Sequence, residues 1–160
     1  MTFGAIIDGG YWLPTKPNDP RVVDMYLRHY SSKKNAVGNK YHDRAYRYRH
    51  RIVGPGEYMV LITLDGRACY VWRKSNYRLD KQEGVNCAIF RNELLSSMLA
   101  DEADDIAWQR WPNELRHFTY VEDSQIQSAN PGYCFKKAGW RTCGRNQDGR
   151  LTLLERIREQ

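Results

Sequence analysis

The sequence predicts one mixed α/β domain, because its composition is globular and its strand and helix patterns alternate. Hydrophobic residues are 41% and charged residues 28% of the 160 residues, ordinary values for a folded domain. Asp65-Gly66 and Asp148-Gly149 each lie between two runs rich in β-branched and aromatic residues, which is typical of β-hairpins. Segments with apolar residues at three- and four-residue spacing separate the β-rich runs and predict helices. The prediction is a single domain over 1–160, with helices on the faces of a central sheet.

The front half predicts a strand, a helix, a long loop and a hairpin. Phe3–Ile7 is a short apolar run that predicts the strand. Asp19 precedes a proline, the order of an N-cap and a first helical residue, so a helix is predicted over Pro20–Tyr30. Residues 31–51 have no clean period and predict a loop, with some helix around 43–48. The hairpin strands are EYMVLITL and RACYVWRK.

A third strand and an acidic helix follow the hairpin. Gly84–Arg91 is β-rich, and Ser96 or Ser97 supplies the N-cap of a helix that Trp111-Pro112 ends. The acids of Asp101–Asp105 lie in the first turns of this helix, where its dipole favours them. We predict that they form a solvated face without chemistry.

The back half completes the order β-α-loop-β-β-β-α-β-α-β-β. Leu115–Val121 predicts a strand. Asn130-Pro131 starts a short helix by the same N-cap and proline pattern, and Gly139 ends it. WRTCG and RLTLLER then form the last hairpin around Asp148-Gly149.

The positive charge is concentrated in one segment. Between Tyr26 and Arg51 there are eight Lys/Arg and one Asp, a net charge of +7, so the rest of the +6 chain sums to about −1. Such a segment binds polyanions by releasing counterions, and its tyrosines could stack on a base, so we predict contact with double-stranded DNA. The phosphates of a cofactor are the competing polyanion, and a solvated basic strand is the structural alternative. The predicted DNA-binding residues are Lys33, Lys34, Arg44, Tyr46, Arg47, Tyr48, Arg49 and Arg51.

Features that the sequence lacks predict the location of the protein in the cell and the redox state of its cysteines. No apolar run approaches the roughly 20 residues of a membrane span, and the first residues lack the pattern of a secretory signal. We therefore expect a cytoplasmic protein without a membrane partner. Its four widely spaced cysteines predict reduced thiols, and although a metal is possible, no standard ligand spacing supports one.

The element order and the segment NPGYCFKKAGWRTCGRNQDGRLTLLER resemble the GNAT acyltransferase superfamily. Asn130, Gly139 and Trp140 occupy positions comparable to the last helix of that family. The resemblance implies a mixed, mostly antiparallel sheet in which two parallel strands splay apart to admit an acyl-CoA-type donor. Those strands would be Val85–Arg91 and Leu115–Val121.

The sequence departs from that family at two motifs. The family cradles the coenzyme A pyrophosphate in a glycine-rich loop, but no glycine occurs between Gly84 and Gly132. Phe135 stands where the family has a tyrosine, and the nearest hydroxyl is that of Tyr133. The resemblance then implies a donor site built from other residues: Arg91, Asn92, Ser96, Ser97 and Asn130.

A narrower resemblance is to phage Mom-type DNA-modification proteins. It rests on His29-Tyr30-Ser31, on TYVED ending at Asp123, and on NPGYCFKKAGW. It implies transfer of an acetamido (carbamoylmethyl) group to N6 of adenine in phage DNA, which protects the DNA from restriction in the bacterial cytoplasm. His29, Tyr30, Asp123 and Tyr133 would line the reaction centre, with the base flipped out of the duplex.

Plainer interpretations exist for each of these residues and for the function. His29 could serve as a dipole partner at a helix end, Asp123 as a cap, and Tyr133 in packing against the sheet. The alternative functions are an ordinary acyl-CoA-dependent N-acetyltransferase acting on a protein or small amine, and a non-catalytic nucleic-acid-binding domain.

Overall fold

A computed structural model describes residues 10–27, 53, 56–92, 97–122 and 133–159. These residues form seven strands and three helices. The elements in chain order are β1 (Trp12–Thr15), α1 (Pro20–Leu27), β2 (Glu57–Thr63), β3 (Ala68–Lys74), β4 (Val85–Asn92), α2 (Ser97–Arg110), β5 (Arg116–Glu122), α3 (Tyr133–Lys137), β6 (Arg141–Arg145) and β7 (Leu151–Ile157).

The strands form one sheet in the order β1-β2-β3-β4-β5-β7-β6. Neighbouring strands are antiparallel, except that β4 and β5 run parallel. Both predicted hairpins are confirmed: β2 pairs with β3 and β6 with β7. The predicted mixed, mostly antiparallel sheet is therefore correct.

Helices lie on both faces of the sheet, because side chains alternate between the faces along each strand. The larger apolar cluster contains Tyr70, Trp72, Cys87 and Val121, and it packs against α2 and α3. We call this side the α2 face. The opposite cluster packs α1 against β2, β3 and β4, and this side is the α1 face.

The N-terminal elements differ in part from the prediction. The predicted strand Phe3–Ile7 lies outside the described residues, whereas β1 was not predicted. The helix begins at Pro20 as predicted, and the Asp19 carboxylate accepts a hydrogen bond from the Arg21 N–H at 2.9 Å. The last predicted residues of that helix, 28–30, lie outside the described residues, as does the whole predicted loop, 31–51.

The prediction that Asp101–Asp105 form a solvated face is wrong at Asp104, whose side chain has no exposure. Its carboxylate accepts hydrogen bonds from His117 Nδ1 (2.6 Å), Trp140 Nε1 (2.7 Å) and an Arg156 guanidinium nitrogen (2.7 Å). A buried carboxylate persists because such partners satisfy it. Asp104 therefore ties α2 to β5, to β7 and to the residue that precedes β6.

His117 lies between aromatic rings in the same cluster. Its imidazole stacks on Trp108 at 3.4 Å between ring centroids and contacts Trp72 at 4.4 Å. Burial lowers the pKa of His117, against the opposing effect of the Asp104 hydrogen bond. The ring is therefore neutral at pH 7, with the proton on Nδ1 and directed at Asp104.

In the described part of the chain, no helix is long and apolar enough to cross a bilayer.

Candidate active site

The candidate site lies where β4 and β5 part. The two strands pair at Val85↔His117 and Asn86↔Phe118, and the ladder then stops. Each strand continues nevertheless, since β4 stays paired with β3 as far as Asn92 and β5 stays paired with β7 as far as Glu122. The parting is therefore an ordered slot in the middle of the sheet, which we call the donor slot, and not a frayed edge.

One side-chain hydrogen bond closes the narrow end of the donor slot. The Thr119 hydroxyl donates to the Cys87 carbonyl oxygen at 2.9 Å, and both residues are buried. These are the first residues of each strand beyond the ladder. Burial also raises the pKa of the Cys87 thiol to about 12, so this cysteine stays protonated and is a poor nucleophile.

A β-bulge lies on β4 beside the slot. The register between β3 and β4 shifts between Val71 and Trp72, which makes Ala88 an extra residue on β4, as in a β-bulge. Ala88 is exposed although it lies in a central strand. The sheet is therefore exposed to solvent at this position of β4.

Glu122 supplies a buried carboxylate at the last position of β5. It is 3% exposed, and by strand alternation it shares the α1 face with Tyr120 and Phe118. Glu122 has interaction partners within the chain. An acid at the open end of the slot is suited to accept a proton during a transfer reaction.

The segment between β3 and β4 is anchored to β5 by polar contacts. Asp80 accepts two hydrogen bonds from Arg78, at 2.8 and 2.6 Å, and one from the Tyr120 hydroxyl at 3.0 Å. The hydrogen bonds from Arg78 and Tyr120 lower the pKa of Asp80 to about 2, despite partial burial. Burial and the bond to Asp80 raise the pKa of Tyr120 to about 12, so the phenol stays neutral. The segment between β3 and β4 is therefore held in a fixed position beside β5.

Four of the residues predicted for the site are described. Arg91 and Asn92 are half-buried at the end of β4, where the slot is open, and Ser97 is the first residue of α2. Tyr133 is 48% exposed, and its hydroxyl accepts a hydrogen bond from Lys137 at 3.3 Å. Its place in the reaction centre stays a prediction, because Asp123, another residue of that centre, is outside the described residues.

The other predicted site residues lie outside the described residues, and their roles stay predictions. They are His29, Tyr30 and Asp123 of the reaction centre, Ser96 and Asn130 of the donor site, and the whole predicted DNA-binding set. No group of three or more His, Cys, Asp or Glu side chains among residues 10–27, 53, 56–92, 97–122 and 133–159 is arranged to hold a metal.

Phe135, at the position of the family's tyrosine, is turned into the core. It is 8% exposed and contacts Phe90 and Trp140 at 5.4 and 4.9 Å between ring centroids. It fills space on the α2 face behind the slot and offers no group that can ionise. Any proton transfer at this position must come from another side chain.

Sequence reasoning missed the contribution of Thr119 and Tyr120. Both lie within TYVED, in which only Asp123 was predicted to act. Strand alternation would have placed Tyr120 with Glu122 on one face, but the contact of Thr119 with β4 depends on the register of two strands distant in sequence.

No protein-family model matches the sequence, and no curated protein matches it. Solved structures of acetyltransferases do match the fold. An aminoglycoside acetyltransferase AAC(6')-Ib, in complex with coenzyme A and kanamycin, gives a TM-score of 0.63 at 14% identity, covering 92% of this chain and 94% of that one.

Two further structures agree. The same kind of enzyme in complex with paromomycin and acetyl-CoA gives a TM-score of 0.63 at 14% identity, covering 92% of this chain and 93% of that one. An aminoglycoside 6'-acetyltransferase type Ii gives 0.57 at 10% identity, covering 91% and 96%. At these identities the likeness establishes the GNAT fold, which the sequence had predicted. The narrower resemblance to Mom-type proteins finds no support in these matches.

Proposed function

We propose that this chain is an acyl-CoA-dependent N-acyltransferase whose acceptor is the amine of a small molecule or a protein. The observation that carries the proposal is the parting of β4 and β5 while each strand keeps its outer partner. Parted strands leave main-chain N–H and C=O groups without ladder partners, and these can bind the amide-rich arm of a coenzyme A thioester. Neighbours of the same fold were solved with coenzyme A and acetyl-CoA, which supports the same donor class here.

The chemistry needs few groups from the protein. The acceptor nitrogen attacks the thioester carbonyl carbon, the C–N bond forms, and the C–S bond breaks to release the thiol of coenzyme A. The nitrogen loses a proton, for which the Glu122 carboxylate is the base, directly or through one water. The sulfur leaves as a thiolate and takes a proton from solvent. Glu122 is the candidate because it is a buried carboxylate at the last position of β5, where the slot is open.

The donor phosphates need cationic or N–H donors beyond the open end of β4. Arg91 and Asn92 lie at that end, and Ser97 begins α2. Arginine pairs well with phosphate because its N–H groups form a planar fork. In our proposal these side chains replace the glycine-rich cradle that the sequence lacks.

A thiol-release assay tests the proposal. The protein would be given acetyl-CoA with kanamycin, spermidine, a lysine peptide or duplex DNA, and free coenzyme A would be measured with a thiol reagent. We expect release with at least one of the three amines. We expect Glu122→Gln to lower kcat about 10²- to 10³-fold without changing the affinity for acetyl-CoA. Glu114→Gln is the matched control, since Glu114 pairs with Lys74 outside the slot.

Absence of both acetyl-CoA binding and thiol release in folded protein would refute the proposal. Equal kcat values for Glu122→Gln and wild type would leave the transferase activity standing but remove Glu122 as the base.

Modification of adenine in DNA is a second candidate, favoured by the net charge of +7 between Tyr26 and Arg51. It predicts a heavier adenosine by mass spectrometry in nucleosides from DNA exposed to the active protein. It also predicts that Arg47→Ala combined with Arg49→Ala weakens DNA binding at low salt. An unchanged adenosine pool would exclude it and leave the amine acceptors.

A further inference from the structure

The donor slot needs a fixed closed end, and the structure shows one contact that provides it. Beyond the last ladder pair, Asn86↔Phe118, the next residues are Cys87 on β4 and Thr119 on β5. The Thr119 hydroxyl bridges them through the Cys87 carbonyl oxygen at 2.9 Å. Thr119 is 4% exposed and Cys87 3%.

The bridge has a physical cause in the parting itself. Where the ladder stops, main-chain groups of both strands lose their ladder partners, and a buried carbonyl without any partner is unfavourable because it loses its hydrogen bonds to water. A side-chain hydroxyl reaches further than a main-chain N–H, so it can satisfy the Cys87 carbonyl while the backbones diverge. A valine would fit the same volume but has no hydrogen to donate.

The residue after Cys87 on β4 explains why a contact at Cys87 matters for the shape of the slot. Ala88 is the extra residue of the bulge, so the path of β4 changes direction immediately after Cys87. A contact at Cys87 therefore fixes the start of the diverging segment. The outer neighbours β3 and β7 hold the far sides of the two strands, but neither of them controls the distance across the slot.

We infer that Thr119 is a positioning residue of the donor slot: its hydroxyl sets where β4 and β5 part and thereby how deep the thioester sits. This inference rests on the proposed acyltransferase function. It makes Thr119 act through the geometry of the strands, without contact with the reacting atoms. Misplacement of reacting groups by about 1 Å lowers rates by up to about 10²-fold.

The test compares Thr119→Val, which removes the hydroxyl at constant shape, with Thr119→Ser, which keeps it. For Thr119→Val we expect kcat/KM for acetyl-CoA to fall about 10- to 100-fold, with KM for the amine within about twofold of wild type. Thr119→Ser should stay within about threefold of wild type. Thr119→Ala removes the same hydroxyl without steric demand and carries the test where the valine variant does not fold.

Thr152→Val is the matched control, because Thr152 is a buried threonine on β7, outside the slot. We expect it to lower the melting temperature at most, with acetyl-CoA affinity and kcat unchanged. A structural role for Thr119 would produce the same pattern: reduced stability with wild-type kinetics in both Thr119→Val and Thr119→Ala. That result would overturn the inference, as would a serine variant as impaired as the valine variant.

Failure of the proposed function gives a different result. Wild-type protein that neither binds acetyl-CoA nor releases thiol would refute the acyltransferase proposal and the inference with it. Wild-type protein that turns over, beside a valine variant that turns over equally well, would refute the inference alone.

Discussion

Replacement of Asp104 by alanine is expected to destabilise the protein by about 3–5 kcal/mol. The carboxylate has no exposure and accepts hydrogen bonds from three donors on separate parts of the chain. Without it, the buried N–H groups of His117 and Trp140 lose their acceptor, at about 1–3 kcal/mol each. Removal of one partner from a buried ionic cluster costs a similar total.

Arg156 contributes less to that cost. Its side chain is 25% exposed and keeps a second ion pair with Asp101 at 2.8 Å. It can therefore turn to that partner and to water when Asp104 is absent. The loss of stability should come mainly from His117 and Trp140, whose rings are buried.

Urea unfolding followed by circular dichroism at pH 7 measures this cost. A loss of 3–5 kcal/mol corresponds to a melting temperature roughly 10–15 °C lower for a domain of this size. Asp105→Ala is the control on the neighbouring helix position, since Asp105 is exposed. Partial burial of the carboxyl and the nearby Asp101 charge raise the pKa of Asp105 and so disfavour its charged form, and removal of this side chain should therefore cost nothing. A loss below about 1 kcal/mol for Asp104→Ala would refute the reasoning.

Three further predictions concern pH and backbone. Burial lowers the pKa of His117 below 6.5, so as the pH drops the imidazole becomes protonated in the unfolded chain before it does in the folded protein. The free energy of unfolding should therefore fall below pH 6.5, by at most about 1.4 kcal/mol per pH unit. His117→Gln should reduce that slope, and superimposable pH profiles would contradict the assignment. Asp80, whose pKa is lowered to about 2, should stabilise the fold above pH 3.8 and lose that effect as the pH falls towards 2, so Asp80→Asn should flatten the acid limb of the profile. Gly84→Ala should lower the free energy of unfolding by more than about 2 kcal/mol, because φ is +112° and an added Cβ would lie 2.3 Å from the Arg116 carbonyl oxygen. Gly144 has open space around it, so Gly144→Ala should change that free energy by no more than about 0.5 kcal/mol. Equal unfolding midpoints for the two variants would contradict this prediction.

The hairpins and the start of α1 were predictable because their causes are local. The Asp65-Gly66 turn is fixed by its own residues: Gly66 has φ +71°, and the Thr63 hydroxyl donates to Asp65. Asp19 caps α1 through a residue two positions along the chain. By contrast, β1 contains Pro14, which disrupts the alternating pattern. The proline is tolerated because β1 is an edge strand of the sheet that the described residues form.

The site depends on contacts that no local pattern encodes. Asp104 belongs to an acidic run that looks solvated, and its burial results from His117, Trp140 and Arg156, which are 13, 36 and 52 residues away in sequence. The Thr119 bridge depends on the register of β5 against β4, 32 residues apart. The parting of these two strands was expected from the family resemblance alone, since periodicity reports a strand but not its neighbour.

The most direct test of the central claim is to titrate isotopically labelled protein with acetyl-CoA and follow its backbone amide resonances. Ligand between β4 and β5 should shift the amides of residues 87–92 and 119–122 in a saturable way, with β2 and β6 little affected. Saturable binding that leaves both of those segments unchanged, or no binding at all, would contradict the claim that the parted strands hold the acyl donor.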